Sequence, residues 1–492
     1  MTRKTFFSLL ICLFLLQISF AQRTGETGFH DESVMPPGKK GERIQSIIDT
    51  VNANDPDRIR RFMEEECTEK FRNFAPVDRH IEFILGVFQE TGGLAFHSIR
   101  TYVPERKGET VIIVKDHNFD SWRAFTLRFD GSEAYLVDDL QFNYARTPSN
   151  VSEPDISEEE FLRQTREMME RLCDKDVFSG TLLVAKDENI LYTFVCGEAS
   201  KRFHVPNNID TKFNLGSMNK MFTATSIVRL AEEGKLSFED PISKYVDESW
   251  LPREITDRIT IHHLLTHSSG LGSYFNEKFM NGSRLLYRDV DDYKPLIKDE
   301  KPAFEPGKRF QYSNTGMFLL GVVIESITEG SYFDYIRKNI YEPAGMKNSD
   351  SFEMDYPVEN LAIGYSPERS RPWKWKNNIF MHVVKGGPAG GGFSTVGDLH
   401  RFALALKSGK LVSKESLEKL WTDYLGANYG YGFQVEEGPK GKVVGHGGGF
   451  PGINGKLDIY LDRGYIVAVL SNYDMGASPV ARKIGELIER VK

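Results

Sequence analysis

Cysteine is scarce in this sequence of 492 residues, which contains four. Cys12 lies in the apolar stretch at the start, so Cys67, Cys173 and Cys196 remain beyond it. An odd number of cysteines without the spacing of metal ligands argues against a disulfide framework and against a zinc site. We therefore expect three free, buried thiols, with Cys173 and Cys196 as the one pair that could form a disulfide.

An excess of positive charge is also lacking. The formal net charge is −8, which argues against nucleic acid as a partner. After the first residues, no stretch approaches the roughly 20 apolar residues needed to span a membrane.

The start of the chain has a composition of its own. Arg3 and Lys4 precede the apolar run Phe6–Phe20, and small residues occupy the positions of Ser19 and Ala21. This pattern predicts a signal peptide, residues 1–21, cleaved after Ala21, with a membrane anchor as the alternative. We expect an exported protein, periplasmic or secreted, without a membrane span after cleavage.

Helical patterns precede strand patterns in residues 41–146. Two helical patterns, separated by "NANDPDR", are followed by "LAFHSIRTYV", "ETVIIVKD", "SWRAFTLRF" and "EAYLVDDLQF". Such segments, separated by Gly, Asn or Asp, predict antiparallel strands and a small α+β domain. The order of elements resembles the nuclear transport factor two-like (SnoaL-like) cone fold. A polar stretch with two prolines, 147–157, is the predicted linker.

The remainder, 158–492, forms a second unit. It opens with a helical pattern and the hairpin "GTLLVAKDENILYTFVCG", and it closes with three strand patterns and a helix. The final helix has an apolar stripe that suits packing on a sheet: Val480, Ile484, Leu487, Ile488 and Val491. We predict an α+β fold in which both ends of this unit build one antiparallel sheet flanked by helices. The middle, 215–430, is predicted to be mainly helix and loop.

A nucleophile with a nearby base is predicted in "FNLGSMNKMF". Ser217 and Lys220 are three residues apart at the start of a helix, so their side chains share a face. The helix N-terminus offers free N–H groups to an oxyanion, and burial would lower the lysine pKa and make it a base. Ser416 and Lys419 have the same spacing, but in a charge-rich stretch typical of a solvated helix face.

A second candidate pair is Tyr312 and Asn314 in "FQYSNTGMFLLG". Two residues apart in a short loop, both side chains can face one cavity. The loop lies between a turn and an apolar helix, and a loop fixed by rigid elements suits catalysis. Tyr274 and Asn276 share this spacing but lie in an open stretch rich in Gly, Ser and Asn.

Glycine is concentrated near the end of the chain, in "VVGHGGGFPG", Val443–Gly452. Five of these ten residues are glycine. Glycine is costly in ordered backbone, so such a cluster indicates that the backbone approaches something closely.

The three motifs together resemble one family. In chain order, Ser217-x-x-Lys220, Tyr312-x-Asn314 and His446-Gly447-Gly448 are similar to the motifs of serine β-lactamases and penicillin-binding proteins, specifically the class C β-lactamase-like branch. "ITIHHLLTHSSGL", "YEPAGMKNS" and "GGGFSTVGDLHRFALAL" also resemble that branch, in its order. The resemblance extends over roughly residues 178–472.

The resemblance implies a β-lactamase/transpeptidase-like fold and an acyl-enzyme mechanism without a cofactor. Ser217 would attack the substrate carbonyl, while Lys220 and Tyr312 share the general-base and general-acid roles. Asn314 would hydrogen-bond the substrate. The backbone N–H groups of Ser217 and Gly449 would form the oxyanion hole.

The third motif departs from the β-lactamase pattern, which has Lys-Thr-Gly or Lys-Ser-Gly. His446 replaces the lysine and Gly447 the hydroxyl residue, while Lys407-Ser408-Gly409 lies in a polar run elsewhere. A neutral or titrating imidazole anchors a carboxylate more weakly than an ammonium group. We expect an ester or peptide-like amide as substrate and weak or no β-lactam hydrolysis. The alternatives are a true β-lactamase, a DD-carboxypeptidase, or an inactive binding or sensing module on this fold.

Two other enzyme classes lack residues that they need. An α/β-hydrolase lipase requires Gly-x-Ser-x-Gly, which does not occur. His263 and His267 are four apart, but no Glu follows the first, as His-Glu-x-x-His requires. We expect no metal, and we expect His267 to order a loop beneath the active site.

Overall fold

The computed structural model describes residues 28–367, 375–438 and 441–492. The predicted signal peptide lies outside these ranges. Within them, no helix is both long and apolar enough to cross a membrane.

The first domain is one antiparallel sheet packed against helices. Its helices are α1 Lys39–Ala53, α2 Pro56–Glu66, α3 Glu69–Phe74 and α4 Val77–Thr91, and its strands are β1 Gly28–Glu32, β2 Leu94–Val103, β3 Thr110–Asp116, β4 Trp122–Phe129 and β5 Val137–Tyr144. The strands follow one another in the sheet in chain order. The four predicted strands are confirmed, and Asp55 caps α2 by accepting from the N–H of Asp57 at 3.0 Å. The resemblance to the cone fold stays a prediction.

One strand of this sheet was not predicted. β1 pairs with β2 from Gly28 opposite Val103 to Glu32 opposite Ile99, although it lies before residue 41. Its five residues, "GFHDE", have too few apolar positions to indicate a strand.

The predicted linker packs on this domain. Ser149 donates its N–H to the Asp31 carboxylate at 2.8 Å, and its hydroxyl accepts the N–H of Asp31 at 2.9 Å. Farther along, the Trp122 indole donates to Glu153 at 3.1 Å. The stretch between the domains is therefore attached to β1 and β4.

The second domain contains a six-stranded antiparallel sheet in the order β14-β15-β16-β17-β6-β7. These strands are β6 Gly180–Lys186, β7 Asn189–Cys196, β14 Gln434–Gly438, β15 Gly441–Phe450, β16 Ile453–Tyr460 and β17 Tyr465–Ser471. β17 pairs with β6 over seven residues, from Tyr465 opposite Lys186 to Ser471 opposite Gly180. The two ends of the unit therefore build one sheet, as predicted.

Helices cover both faces of this sheet. On one face lie α5 Glu158–Asp174 and α16 Ser478–Arg490, whose apolar side chains form a core with Val467 and Val469 of β17. The other face carries a larger core made mainly by the middle of the chain. Its helices are α6 Asn219–Glu232, α7 Arg253–Thr256, α8 Ile261–Leu265, α9 Glu277–Asn281, α10 Lys294–Ile297, α11 Asn314–Thr328, α12 Tyr332–Ile336, α13 Glu342–Ala344, α14 Val396–Lys407 and α15 Lys414–Leu420.

Short elements complete the domain. The strands are β8 Glu198–Ser200, β9 Val205–Pro206, β10 Phe213–Asn214, β11 Tyr365–Pro367, β12 Trp375–Asn377 and β13 Phe393–Ser394. The 3₁₀ turns are Gly216–Met218, Ile242–Lys244, Arg284–Leu286 and Val290–Tyr293, and a π-helical turn spans Arg337–Tyr341.

The two domains share a hydrophobic contact. Phe119, from the β3–β4 connection, is 2% exposed and belongs to the core formed by α5 and α16. Around it, Arg171 donates to the carbonyl of Asn118 at 2.9 Å, and Lys483 donates to the carbonyl of Asp120 at 3.0 Å. The first domain is thus packed against the helices behind the six-stranded sheet.

The expectation of three free thiols is wrong. Cys173, at the end of α5, forms a disulfide with Cys196 at the end of β7, with the two Cα atoms 6.0 Å apart. Cys67 is free and buried. The pairing depends on how α5 packs against β7, which cysteine number and spacing do not reveal.

Candidate active site

Ser217 lies in a tight turn at the start of α6. Gly216 precedes it with φ 50°, in the left-handed region that favours glycine. A Cβ at this glycine would lie 2.9 Å from the backbone N of Gly449. The side chain of Asn214 accepts the Gly216 N–H at 2.9 Å and fixes the turn. The nucleophile candidate is therefore held against β15.

Lys220 is fully buried in the first turn of α6. Its Nζ donates to Asn314 Oδ1 at 3.0 Å and to the carbonyl of Ala389 at 2.5 Å, and it lies 4.9 Å from the centroid of the Tyr312 ring. Burial holds the pKa of this lysine well below its ordinary value. Lys220 can therefore be a neutral amine that accepts a proton.

Tyr312 lies beside both the serine and the lysine. Its hydroxyl shares a hydrogen bond with Ser217. Burial raises the pKa of the phenol above its ordinary value, an effect that the bond from Ser217 only partly offsets. Tyr312 is therefore protonated at neutral pH and can donate a proton.

Asn314 is oriented by its place at the start of a helix and by two side-chain contacts. It begins α11, where the Ser313 hydroxyl caps the helix by accepting the N–H of Gly316 at 2.8 Å. Its Oδ1 accepts from Lys220, and its Nδ2 donates to the Ser273 hydroxyl at 3.2 Å. The amide is thereby fixed beside the lysine.

β15 forms the third wall of the site. β14 begins at Gln434 opposite Gly445, so among the described residues no strand pairs with this edge of β15 from His446 onward, where it faces the turn at Ser217. A Cβ at Gly448 would lie 1.9 Å from the carbonyl oxygen of Leu215 and 3.1 Å from the N of Ser217. Gly447 faces the other side of the strand, where a Cβ would meet Lys456 Cδ at 3.6 Å. The close approach that the glycine cluster indicates is thus made at Gly448 and Gly449.

The His446 side chain is buried behind the site. Its Nε2 lies 3.0 Å from the Tyr429 hydroxyl, and its Nδ1 lies beside the carbonyl of Gly447. Burial lowers the pKa of the imidazole to about 3. His446 is therefore neutral, with both ring nitrogens engaged inside the protein.

His267 supports the loop that carries Tyr312 and Asn314, as expected. It is fully buried, and its Nδ1 accepts the N–H of Ser313 at 3.0 Å. Its ring lies 4.4 Å from that of Tyr312 and 4.6 Å from that of Tyr429. In the described part of the chain, no group of three or more His, Cys, Asp or Glu residues is arranged to hold a metal.

The structure separates the motif matches from the alternatives. Ser416 is buried rather than solvated, while Lys419 points away to Glu415 at 3.0 Å. Tyr274 packs in an aromatic core, with its ring 5.4 Å from that of Phe318, and Asn276 caps α9. Neither pair assembles a site, whereas all three motifs meet at one cleft.

Three contributors were not predicted. They are the carbonyl of Ala389, the hydroxyl of Ser273 and the hydroxyl of Tyr429. The backbone carbonyl has no sequence signal. Tyr429 and Ser273 lie in "NYGYGF" and "SSGLGS", whose glycine-rich character marks them as loops near a site but does not identify the contact.

This fold and this Ser-Lys-Tyr arrangement define a serine hydrolase of the β-lactamase/transpeptidase fold. The profile of the beta-lactamase family matches residues 161–489. A penicillin-binding protein of Bacillus subtilis is 32% identical over 322 residues, which are 62% of this chain and 70% of that protein.

Solved structures agree. The penicillin binding protein from Bacillus halodurans has a TM-score of 0.60 at 31% identity, covering 67% of this chain and 98% of that one. A D-stereospecific amidohydrolase from Streptomyces sp. has a TM-score of 0.53 at 26% identity, covering 63% and 93% of the two chains. The chain belongs to the beta-lactamase family.

Proposed function

We propose that this protein is an exported hydrolase that cleaves an ester or a peptide-like amide through an acyl-enzyme on Ser217. The observation that carries the proposal is the grouping of Ser217 and Tyr312 with a buried Lys220 whose pKa is lowered well below its ordinary value. A nucleophile, a base and a proton donor within contact of each other are what acyl transfer requires. The similarity to a D-stereospecific amidohydrolase supports an amide as one substrate type.

In the first step, Ser217 Oγ bonds to the carbonyl carbon and its proton passes to the Lys220–Tyr312 pair. The carbonyl electrons move to the oxygen, which the N–H groups of Ser217 and Gly449 hold. Collapse of this intermediate breaks the bond to the leaving amine or alkoxide, which takes the proton back from Tyr312. Water then repeats the sequence on the acyl-enzyme and releases the acid.

The third wall argues against β-lactams as the preferred substrate. His446 replaces the lysine of the family's third motif, and its neutral imidazole is hydrogen-bonded to Tyr429. Gly447, at the next position, has no hydroxyl. A substrate carboxylate would find no charged partner in the third motif. We therefore expect ester or amide turnover to exceed cephalosporin turnover.

Labelling with a fluorophosphonate probe tests the nucleophile. We expect Ser217→Ala to abolish labelling and Ser416→Ala to leave it intact. Labelling that survives in Ser217→Ala would disprove the mechanism. No labelling and no turnover by the wild type would favour the inactive binding module.

A substrate panel tests the reaction. We expect p-nitrophenyl esters or D-amino-acid amides to be hydrolysed and nitrocefin to be turned over poorly. Nitrocefin turnover at ordinary β-lactamase rates would instead support a true β-lactamase, and release of a terminal D-alanine from a D-Ala-D-Ala peptide would support a DD-carboxypeptidase.

Export is proposed from the sequence of residues 1–21, and the disulfide between Cys173 and Cys196 agrees with an oxidising compartment. Mass spectrometry of the protein from the medium or periplasm tests it. We expect a mature chain that begins at Gln22, whereas an intact N-terminus on membranes would indicate an anchor.

A further inference from the structure

Large apolar side chains are exposed together on two neighbouring segments. Phe380 is 90% exposed, Leu285 66% and Leu286 63%, and Ile379 lies beside Phe380 with 38% exposure. The segments are joined because Arg284 Nε donates to the carbonyl of Met381 at 3.1 Å. Contiguous exposed apolar surface of this kind marks a binding region on a soluble domain.

This surface lies beside the end of β15 that follows Gly449. Asn378 Nδ2 donates to the carbonyl of Pro451 at 2.8 Å, which places residues 379 and 380 beside the end of β15. Phe450, the residue after Gly449, stacks with Phe275, the ring centroids being 6.0 Å apart and the planes 25° from parallel. We call Phe275, Phe450, Leu285, Leu286, Ile379 and Phe380 the apolar rim.

The position of the proton donor decides which half of a substrate meets the rim. In the proposed mechanism the leaving group takes its proton from Tyr312, whose ring lies 6.4 Å from that of His446. The leaving group therefore lies toward the His446 end of β15. The acyl group, whose carbonyl oxygen is held at Gly449, extends toward the opposite end, where Phe450 and the rim lie.

We propose that the apolar rim binds the acyl part of the substrate, and that this part is apolar, either an alkyl chain or an aromatic side chain. This proposal rests on the proposed function, since it requires an acyl group on Ser217. The rim supplies carbon surface, so the free energy of binding grows with the apolar area that the acyl group covers.

A series of p-nitrophenyl esters from acetate to octanoate tests this. Complete burial of a CH₂ group gives about a fourfold gain, and for an open rim we expect about half of that factor, about twofold in kcat/KM per CH₂. Octanoate should then exceed acetate by about 60-fold, the product of six such steps.

Two variants test whether the preference for long acyl chains comes from the rim or from exposed apolar side chains in general. Phe380→Ser should reduce the octanoate-to-acetate ratio at least fivefold. The matched control is Phe74→Ser, which removes a phenyl group that is 80% exposed on α3 of the first domain; it should leave the ratio unchanged. A flat series in the wild type, or equal ratios in wild type and Phe380→Ser, would overturn the proposal.

An equilibrium measurement keeps the rim testable without turnover. In Ser217→Ala, N-octanoyl-glycinamide should bind at least tenfold more tightly than N-acetyl-glycinamide by equilibrium dialysis, and Phe380→Ser should remove the difference. If no ester is hydrolysed but this difference is seen, the proposed function fails and the rim stands as an acyl-binding surface.

An exposed apolar surface of this kind can also bind a membrane. Sedimentation with phosphatidylcholine vesicles measures binding to a membrane. If the wild type binds these vesicles and Phe380→Ser does not, while the ester series is flat and the amide affinities are equal, the rim binds lipid and the acyl proposal is overturned.

Discussion

Three nitrogen bases surround the Tyr312 ring. Lys220 Nζ lies 4.9 Å from its centroid, and the rings of His267 and His446 lie 4.4 and 6.4 Å away. Burial lowers the pKa of all three bases, and the two imidazoles are uncharged at neutral pH. Burial disfavours the ammonium form of Lys220 as well, so this amine is able to accept the proton of Ser217.

The neutral state of His446 makes stability depend on pH. Its pKa is about 3 in the folded chain against an ordinary value of 6.5, so between these values the unfolded chain binds more protons. Stability is therefore fully present above about pH 6.5 and is lost as the pH falls toward 3, by about 1.4 kcal/mol per unit.

Urea unfolding of wild type and His446→Gln at pH 7 and pH 5 measures this. We expect the advantage of the wild type to be about 2 kcal/mol smaller at pH 5, since 1.5 units of the titration separate 6.5 from 5. An advantage that is equal at both pH values would contradict a buried, neutral imidazole.

Tyr429 should fix the tautomer of His446. The carbonyl of Gly447 beside Nδ1 can only accept, so the ring proton is on Nδ1 and the Tyr429 hydroxyl donates to Nε2. Nitrogen-15 NMR of the imidazole should show this tautomer in the wild type. In Tyr429→Phe the buried acceptor is left unsatisfied, so the signal should change and kcat/KM should fall about tenfold, equivalent to about 1.4 kcal/mol.

Tyr431→Phe is the matched control for this variant. The Tyr431 hydroxyl makes the same type of bond, to His262 Nδ1 at 2.7 Å. Its loss should leave the His446 signal and kcat/KM within about twofold of the wild type, or under about 0.5 kcal/mol. A protonated Nε2 in the wild type would refute the assignment.

At this scale the sequence predicts the chemical groups better than their orientation. Ser217, Lys220 and Tyr312 follow from spacing and context. The inward direction of His446 does not, because it is set by Tyr429, whose contact depends on how the loop before β14 folds back onto β15.

At the scale of the element, β15 distinguishes two adjacent glycines. Gly448→Ala places a Cβ 1.9 Å from a backbone oxygen, which cannot give way, whereas Gly447→Ala meets nothing closer than 3.6 Å. We expect Gly448→Ala to lose at least 100-fold in kcat/KM, about 2.7 kcal/mol, because β15 must move away from Ser217.

Gly447→Ala serves as the control for that variant, with a change of less than about threefold, or about 0.7 kcal/mol. Steady-state kinetics on one ester and thermal melting of both variants measure the difference. Similar losses in both would show that the strand does not approach the turn at Ser217 as described.

The strands that sequence predicts best are those with an apolar pattern of their own. β2 to β5 have it, and β1 does not, since only its pairing with β2 makes it a strand. The disulfide is similar: Cys173 and Cys196 are each ordinary in local sequence, and only the packing of α5 on β7 brings their Cα atoms to 6.0 Å.

At the scale of the molecule, Phe119 fixes one domain to the other. It contributes to a core that otherwise belongs to α5, α16 and the six-stranded sheet. Phe119→Ala should cost about 3–5 kcal/mol of this contact. Calorimetry should then separate one unfolding transition into two, while Phe74→Ala, which truncates an exposed side chain, should leave a single transition.

The sequence predicts a boundary between two domains, but it does not predict how the chain on either side of that boundary is attached. Prolines and polar residues predict the linker, yet the side chains of the same stretch bind β1 and β4. Whether a polar segment is solvated or bound depends on partners such as Asp31, which lie more than a hundred residues away in the chain.

The bond between Cys173 and Cys196 closes next to that attachment, since α5 also contacts the first domain through Arg171. The oxidation state of these two cysteines depends on the compartment in which each molecule folded. A chain that folds in a reducing cytoplasm retains two hydrogen atoms that a chain folded in an oxidising compartment has lost. Intact mass, measured after alkylation of free thiols under denaturing conditions, therefore distinguishes the two histories molecule by molecule. Preparations made inside and outside the cytoplasm are chemically different proteins with one sequence, and their activities should be compared only after that difference is known.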